Sequence, residues 1–238
     1  MSPRGSSEPQ SSEYGVEWPT CPECGGDLVL FDRWLWCPEH GAFSPELERI
    51  ELDEEKMALI ESSLRARDLC IDFMSKLKPK LEEEKRFLFL KAPPWSVNVM
   101  EGRGGSIYMY ASKAGASMTR PAIWGIPMAF FLMVTWNSGI VAKDDFKTLQ
   151  KLIFDQYGTL ENAANLVIVF APGITEEAAS YCAKQKTCLR LAQQALNQIG
   201  FIVIGPSGEI ISEVSGRLRG YVKHHFPEAY ELLFKMRI

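Results

Sequence analysis

The amino-acid sequence predicts an α/β protein, in which a small N-terminal module precedes a mixed sheet with flanking helices. Two observations lead to this fold class. The pentapeptide Cys-Pro-Glu-Cys-Gly at residues 21–25 returns with one exchange as Cys-Pro-Glu-His-Gly at residues 37–41, which marks a compact module. Beyond residue 85, apolar runs of strand length alternate with amphipathic segments, a pattern typical of a sheet covered by helices.

Length and composition are those of an ordinary globular protein. The 238 residues, 46% hydrophobic and 24% charged, suffice for one sizeable core and a small appended module. A formal net charge of −4 provides no general attraction to polyanions. The longest apolar run, residues 123–134, is shorter than the ~20 residues that cross a bilayer, so we expect no membrane partner. Because no signal-like start precedes the six cysteines, we expect an intracellular protein, cytoplasmic or nuclear (or nucleoid), with reduced thiols.

The N-terminal part divides into a leader and a module. Residues 1–17 are rich in Ser, Pro, Gly and Glu and lack apolar periodicity, which predicts a disordered leader. Within the module, residues 18–44, apolar strands at 28–31 and 34–36 flank two polar residues. This spacing predicts a tight hairpin.

Residues 45–84 are expected to form a helical connector between the module and the body. The helix should begin at Asp53 and end at Lys78, because Pro79 cannot continue the backbone hydrogen bonding. Its apolar face is predicted to contain Met57, Ile60, Leu64, Ile71 and Met74.

Residues 85–238 are expected to form the α/β domain, first as a strand meander and then as alternating strands and helices. The strands predicted for the meander are residues 86–90, 97–100 and 107–111. The later predicted strands are residues 130–136, 166–170, 188–191, 201–204 and 209–214. The predicted helices are residues 143–157, 175–184, 193–199 and 230–236. Such an order implies a mainly parallel or mixed sheet.

Four potential metal ligands follow the pattern C-x2-C-x12-C-x2-H, namely Cys21, Cys24, Cys37 and His40. Two ligands separated by two residues fit on one tight turn, and two such turns joined by a hairpin supply the corners of a tetrahedron. Zn²⁺ is the ion that prefers this ligand set, so structural Zn²⁺ is the expected cofactor.

The module resembles a zinc ribbon of the kind found in transcription, translation and DNA-processing proteins. That resemblance implies a structural site, since four protein ligands leave no open position for catalysis. The twelve-residue spacer is shorter than the common one, and the last ligand is histidine where most ribbons have cysteine. A redox-active C-x-x-C pair and a chance match are the alternatives, although a redox pair is expected between a strand and a helix.

The tip of the hairpin carries candidate contact residues, Arg33, Trp34 and Trp36. Arginine and tryptophan are frequent anchors for both bases and protein partners. Packing of the tryptophans on the metal module or on the following helix is the competing interpretation.

The order of the body weakly resembles a degenerate restriction-endonuclease-like domain. Glu101, a strand and then Ala111-Ser112-Lys113 have the spacing of an acid followed by E-x-K. The resemblance implies that Glu101 would bind Mg²⁺ and that Lys113 would assist an attacking water. Because Ala111 stands where the family has a glutamate, one metal ligand is missing, which favours binding without cleavage.

Basic residues in the middle of the chain are candidates for nucleic-acid or partner contacts. They are Arg103, Lys113 and Arg120, interleaved with aromatic residues. A second basic segment, residues 217–225, is either a contact surface or a solvated helix face.

Three functional hypotheses follow. The favoured one is a noncatalytic factor in a nucleic-acid-associated complex, with both nucleic acid and proteins as partners. The second is a metal-dependent nuclease that uses Glu101 and Lys113. The third is a protein-interaction subunit that does not contact nucleic acid.

Overall fold

The structure is a computed structural model, and it describes residues 19–31, 34–83, 86–87, 90–91, 94–102, 105–114, 129–157, 163–184 and 198–235. Within these residues the chain is an α/β protein with five helices, one mixed five-stranded sheet and an N-terminal hairpin sheet, as expected. The leader expected at residues 1–17 lies outside the described residues. No helix in the described part of the chain is long and apolar enough to span a membrane.

The N-terminal module is a three-stranded antiparallel sheet. Its strands are β1 (Val29–Phe31), β2 (Trp34–Cys37) and β3 (Gly41–Phe43), in that order. The predicted hairpin is therefore confirmed, with Phe31 paired to Trp34 across the turn. The turn at residues 38–40 reverses the chain after β2, so that β3 pairs beside β2.

A 29-residue helix, α1 (Glu54–Glu82), comes next. It begins as expected, because the Asp53 carboxylate accepts a 2.9 Å hydrogen bond from the backbone amide of Lys56. The predicted end at Lys78 is wrong, since the helix continues through Pro79 for three more residues. Leu77 and Leu81, one turn apart on either side of the proline, are both buried, so core packing outweighs the hydrogen bond that Pro79 removes.

The buried stripe of α1 also differs from the prediction. Ile60 and Met74 are buried as expected, but Ile71 is 40% exposed. The stripe is completed by six other buried side chains, Ser63, Ala66, Cys70, Phe73, Leu77 and Leu81. The helix expected as a connector packs against the central sheet and the last helix of the chain.

The central sheet has five strands in sequential order, β6 to β10. They are β6 (Ser96–Glu101), β7 (Ile107–Ala114), β8 (Ala129–Trp136), β9 (Ala163–Phe170) and β10 (Gln198–Ile204). The first three strands pair antiparallel and the last three pair parallel, which confirms a mixed sheet. A separate short hairpin, β4 (Arg86–Phe87) and β5 (Leu90–Lys91), replaces the single strand expected at residues 86–90.

Helices cover both faces of this sheet. On one face, α2 (Lys143–Tyr157) and α3 (Glu176–Ala183) bury Phe146, Ile153 and Cys182 against alternate strand residues. On the other face, α1 packs together with α4 (Gly216–His225) and α5 (Pro227–Phe234). Strand residues 132–134 alternate between the two cores, as a period of two requires.

The prediction was least accurate after residue 184. The strand expected at 188–191 and most of the helix expected at 193–199 lie outside the described residues. Gln198 and Ile199 begin β10, so the helix does not extend to Gly200. Residues 209–214 form only a single bridge to β10, between Ile210 and Ile204, where a strand was expected.

Candidate metal centre

Two tight turns of the N-terminal sheet bring the four predicted ligands together. Cys21 and Cys24 lie in the turn before β1, while Cys37 ends β2 and His40 lies in the turn before β3. The first turn is closed by a 2.8 Å hydrogen bond from the amide of Gly25 to the carbonyl of Cys21. Gly25 and Gly41 have φ of 73° and 86°, the left-handed backbone that glycine adopts most easily.

The ligand atoms are close enough to share one ion. The Nδ1 atom of His40 lies 3.6 Å from the Sγ atoms of both Cys21 and Cys37, and the Sγ atoms of Cys24 and Cys37 are 3.7 Å apart. All four ligand atoms lie within 4.8 Å of one another. The sulfur atoms are too far apart for a disulfide, whose S–S length is about 2.05 Å. The cluster is therefore a candidate site for one metal ion with three sulfur ligands and one nitrogen ligand.

Electrostatics at the cluster favour a cation. Burial raises the pKa of the Cys37 thiol, but backbone amides of Glu39 and His40 and the His40 ring outweigh this effect and lower the pKa to about 7. The pKa of the Cys24 thiol is raised instead, because the lowering effect of a hydrogen bond at Gly26 is exceeded by burial and by the neighbouring thiols of Cys21 and Cys37. Crowded thiols resist carrying several negative charges, and a bound cation removes that resistance.

Charged side chains lie around the outward side of His40. Its Nε2 atom is 3.6 Å from a carboxylate oxygen of Glu23, and the other oxygen of that carboxylate is 3.6 Å from the Arg49 guanidinium. These separations are ion-pair contacts, longer than hydrogen bonds. Because Nε2 faces Glu23, the Nδ1 atom is the one directed at the sulfur atoms, an orientation that carboxylates commonly give to metal-binding histidines.

The cluster has a small apolar core of its own. Leu28, Leu35 and Phe43 are buried around Cys21 and Cys37, with Leu47 packed against them. A core of this size is too small to stabilise a separate domain, so the fold of the module depends on a bound metal or on contacts with the rest of the protein.

The hairpin contacts the rest of the protein. These contacts matter because residues at its tip were named as candidates for an exposed contact surface. Phe31 is buried in the main core and meets Trp136 of β8 edge to face, with ring centroids 5.9 Å apart. Trp34 and Trp36 are half-buried against the same core, and the ammonium of Lys56 lies 5.6 Å from the Trp34 ring. Both tryptophans therefore pack against the main core of the protein, as the competing interpretation of their role expected. Arg33 lies outside the described residues.

The alternative catalytic pair is not brought together. Glu101 is opposite Ile107 at one end of the β6–β7 hairpin, and Lys113 lies six residues further along β7. At about 3.4 Å per residue, some 20 Å separates their backbones. Lys113 has a local partner, since its ammonium lies 6.0 Å from the ring of Trp95. This arrangement supplies no shared site for a metal ion and an attacking water.

Other predicted residues are distributed differently. Arg103 and Arg120 lie outside the described residues. The basic segment at 217–225 is helix α4, whose buried side holds Leu218, Tyr221, Val222 and His225. Its exposed side chains include Arg217, Arg219, Lys223 and His224. This surface was visible in the sequence as a run of basic residues, but only the helix shows which of them face solvent.

The cysteines outside the cluster are poor candidates for redox chemistry. Burial raises the pKa of Cys182 to about 12 and raises the pKa of Cys70 further above the usual range. Neither thiol ionises readily near neutral pH. The sixth cysteine, Cys188, lies outside the described residues.

A cleft at the carboxyl end of β8 is a further candidate for a ligand site. It has a volume of about 150 Å³ and is lined in part by Tyr108, Asn137 and Asp145. The Asp145 carboxylate accepts a 2.7 Å hydrogen bond from the amide of Ala142 at the start of α2, and Asn137 donates to the carbonyl of Gly139. Both polar side chains are therefore hydrogen-bonded to nearby backbone groups. The position of Asp145 is one where acidic residues are common, because it lies at the start of a helix.

Fold and site together define an α/β protein with a hairpin that carries a candidate Cys₃His metal site and packs against the central domain. No family model, no curated protein and no solved structure matches this chain.

Proposed function

We propose that this protein is a zinc-stabilised, noncatalytic factor that binds nucleic acid as part of a protein complex in a reducing, intracellular compartment. The observation that carries the proposal is the combination of a closed metal centre with an exposed basic helix. The metal centre stabilises the hairpin, and the helix supplies the contact with phosphates.

The geometry of the ligand set supports zinc as the metal. A tetrahedral Zn²⁺ with Zn–S of ~2.3 Å and Zn–N of ~2.05 Å requires sulfur atoms about 3.8 Å apart and sulfur–nitrogen separations of about 3.6 Å. The Sγ atoms of Cys24 and Cys37 are 3.7 Å apart, and the Nδ1 atom of His40 is 3.6 Å from the Sγ atoms of Cys21 and Cys37. All four ligand atoms lie within 4.8 Å of one another. Four protein ligands would complete the coordination of the ion. A structural role follows, because no position is left for a substrate or a reactive water.

The outer face of α4 supports contact with nucleic acid. The helix contains two arginines, one lysine and two histidines but no acidic residue. Four of these basic residues are exposed, namely Arg217, Arg219, Lys223 and His224. The guanidinium of Arg219 lies 5.1 Å from the ring of Phe234. Most of the basic side chains described on α1 and α2, in contrast, are within 4 Å of a carboxylate. A local cluster of this kind attracts phosphates even on an acidic protein.

Binding measured against salt concentration tests the proposal. Short fluorescent single- and double-stranded DNA and RNA probes would be titrated with the zinc-loaded protein between about 50 and 200 mM salt. The test variant is Arg217→Gln with Lys223→Gln. The matched control, Arg65→Gln with Lys147→Gln, removes the same two charges from exposed positions on α1 and α2.

The α4 variant is expected to bind at least tenfold more weakly at the lowest salt concentration and to lose about one to two units of the log–log salt slope. The control is expected to change affinity by less than twofold. Equal losses in both variants would locate binding elsewhere or make it nonspecific. If none of the probes binds while native proteins co-purify with the chain, the protein-interaction hypothesis replaces the one proposed here.

A further inference from the structure

Strand β6 forms an edge of the central sheet, and no other strand in the described part of the chain pairs with its outer side. Its six residues, Ser-Val-Asn-Val-Met-Glu, pair with β7 on one side, and all but Val97 are exposed. Two apolar side chains on opposite faces are uncovered, Val99 at 45% and Met100 at 49% exposure. Natural edge strands usually carry lysine, proline or a bulge that prevents pairing with another chain. This strand has none of these within 96–101, and its only charge is Glu101 at the end.

The hydrogen bonding of the β6–β7 hairpin shows which backbone groups face outward. The amide of Gly102 donates to the carbonyl of Ser106 at 2.8 Å, so even-numbered residues of β6 bond inward to β7. Antiparallel strands alternate between bonded and non-bonded pairs. The N–H and C=O groups of Val97, Val99 and Glu101 therefore point away from the sheet. The backbone amide of Trp95, which precedes the strand, also points away from β7, and it donates a hydrogen bond to the carbonyl of Leu81.

We infer that β6 pairs with β6 of a second copy of this chain, antiparallel and across a two-fold axis at Val99. In this register Val99 lies opposite Val99 of the second copy, and Val97 lies opposite Glu101 of the second copy. All three outward-facing residues of each strand are then used, which produces six intermolecular hydrogen bonds. The two sheets join into one sheet of ten strands.

Three features of β6 favour a second copy as the occupant. In both copies the odd-numbered residues direct their backbone N–H and C=O groups away from the sheet. These groups can therefore bond to each other when two β6 strands lie antiparallel. The pairing also keeps each face of the joined sheet continuous, because Val97, Val99 and Glu101 share one face in both copies. Finally, antiparallel pairing places the backbones of the two Glu101 residues about 14 Å apart, which limits repulsion between their carboxylates. Parallel, in-register pairing would place these backbones about 4.8 Å apart.

The mass of the zinc-loaded protein in solution tests this inference. The chain has a mass of 26.8 kDa, so the dimer should appear at twice this mass by light scattering coupled to size exclusion at tens of micromolar. Val99→Lys places a charge on the two-fold axis and is expected to yield the monomer. Ile140→Lys is the matched control, because Ile140 is similarly apolar and similarly exposed but follows β8, two strands away from β6. That variant is expected to remain dimeric.

Cysteine crosslinking tests the register. Under oxidised glutathione, Val99→Cys is expected to form a disulfide-linked dimer, because residues on the axis have Cα atoms about 5.5 Å apart. Val97→Cys should not crosslink, since its two copies are about 14 Å apart along the strands. The unmodified protein controls for native thiols.

Three outcomes would overturn the inference. They are a wild-type protein that stays monomeric at high micromolar concentration, a Val99→Lys variant that stays dimeric, and stronger crosslinking of the Val97→Cys variant than of the Val99→Cys variant. None of these outcomes depends on nucleic-acid binding, so the proposed function is tested separately.

Discussion

Truncation of Phe31 tests whether the metal-binding hairpin is an integral part of the protein. The ring is 3% exposed and packs in the main core against Trp136, although Phe31 belongs to the hairpin strand β1. Phe31→Ala removes a buried aromatic side chain and leaves a cavity, a change that costs about 3–5 kcal/mol at fully buried sites. We therefore expect the free energy of unfolding to fall by this amount. With a urea slope of about 3 kcal/mol/M, the unfolding midpoint would decrease by roughly 1 to 1.7 M.

The neighbouring Leu30 provides the control. It precedes Phe31 in the same strand, is 42% exposed, and should cost less than about 1 kcal/mol when changed to alanine. Urea unfolding of the zinc-loaded proteins, followed by tryptophan fluorescence and circular dichroism, measures both effects. Zinc content should stay at one equivalent in both variants, because neither residue is a ligand. If Phe31→Ala and Leu30→Ala shift the midpoint equally, the hairpin does not stabilise the main domain and our account of its packing is wrong.

Three further predictions concern the cysteines and one close contact. The protein should contain one equivalent of zinc, Cys37→Ser should lose it, and Cys182→Ser should retain it; a full zinc complement in Cys37→Ser would contradict the ligand set. In thiol labelling at mildly alkaline pH, resolved by peptide mass spectrometry, Cys70 and Cys182 should stay unmodified because their pKa values are raised by burial, and rapid native labelling of either would show that its surroundings open. Gly200→Ala should destabilise by about 1–3 kcal/mol in thermal or urea unfolding, since the added methyl would lie 2.6 Å from a Leu218 methyl; an unchanged midpoint would mean that α4 shifts freely away from β10.

Features that depend on a few neighbouring residues were predicted well. The clustering of the four candidate ligands was predicted correctly because each pair must lie on one turn, and the spacing within a turn is a local property. Helix α2 was predicted to its observed bounds, and the helix predicted at residues 175–184 is present as α3, where the Thr175 hydroxyl accepts a hydrogen bond from the Ala178 amide. Strand β8 was placed within one residue, because Pro127 interrupts the apolar run shortly before the strand and the polar Asn137 follows it.

Other features were wrong or invisible because long-range packing decides them. Pro79 appeared to end α1, yet burial of Leu77 and Leu81 continues the helix through it. Glu101 and Lys113 had a suggestive spacing in the sequence, but that spacing alone does not show how two strands align. The register of β6 against β7 places them at opposite ends of the hairpin.

The sequence by itself determined the α/β class, the clustering of the four candidate ligands and most of the regular elements, because these follow from local spacing and apolar periodicity. Only the tertiary structure decided what the metal-binding hairpin does. It buries Phe31 and packs Trp34 and Trp36 against the main domain, so the two tryptophans named as candidate contact residues help to join the two parts of the protein. The physical reason is that apolar surface is buried wherever a complementary core is available, and the location of that core depends on residues far away in the chain.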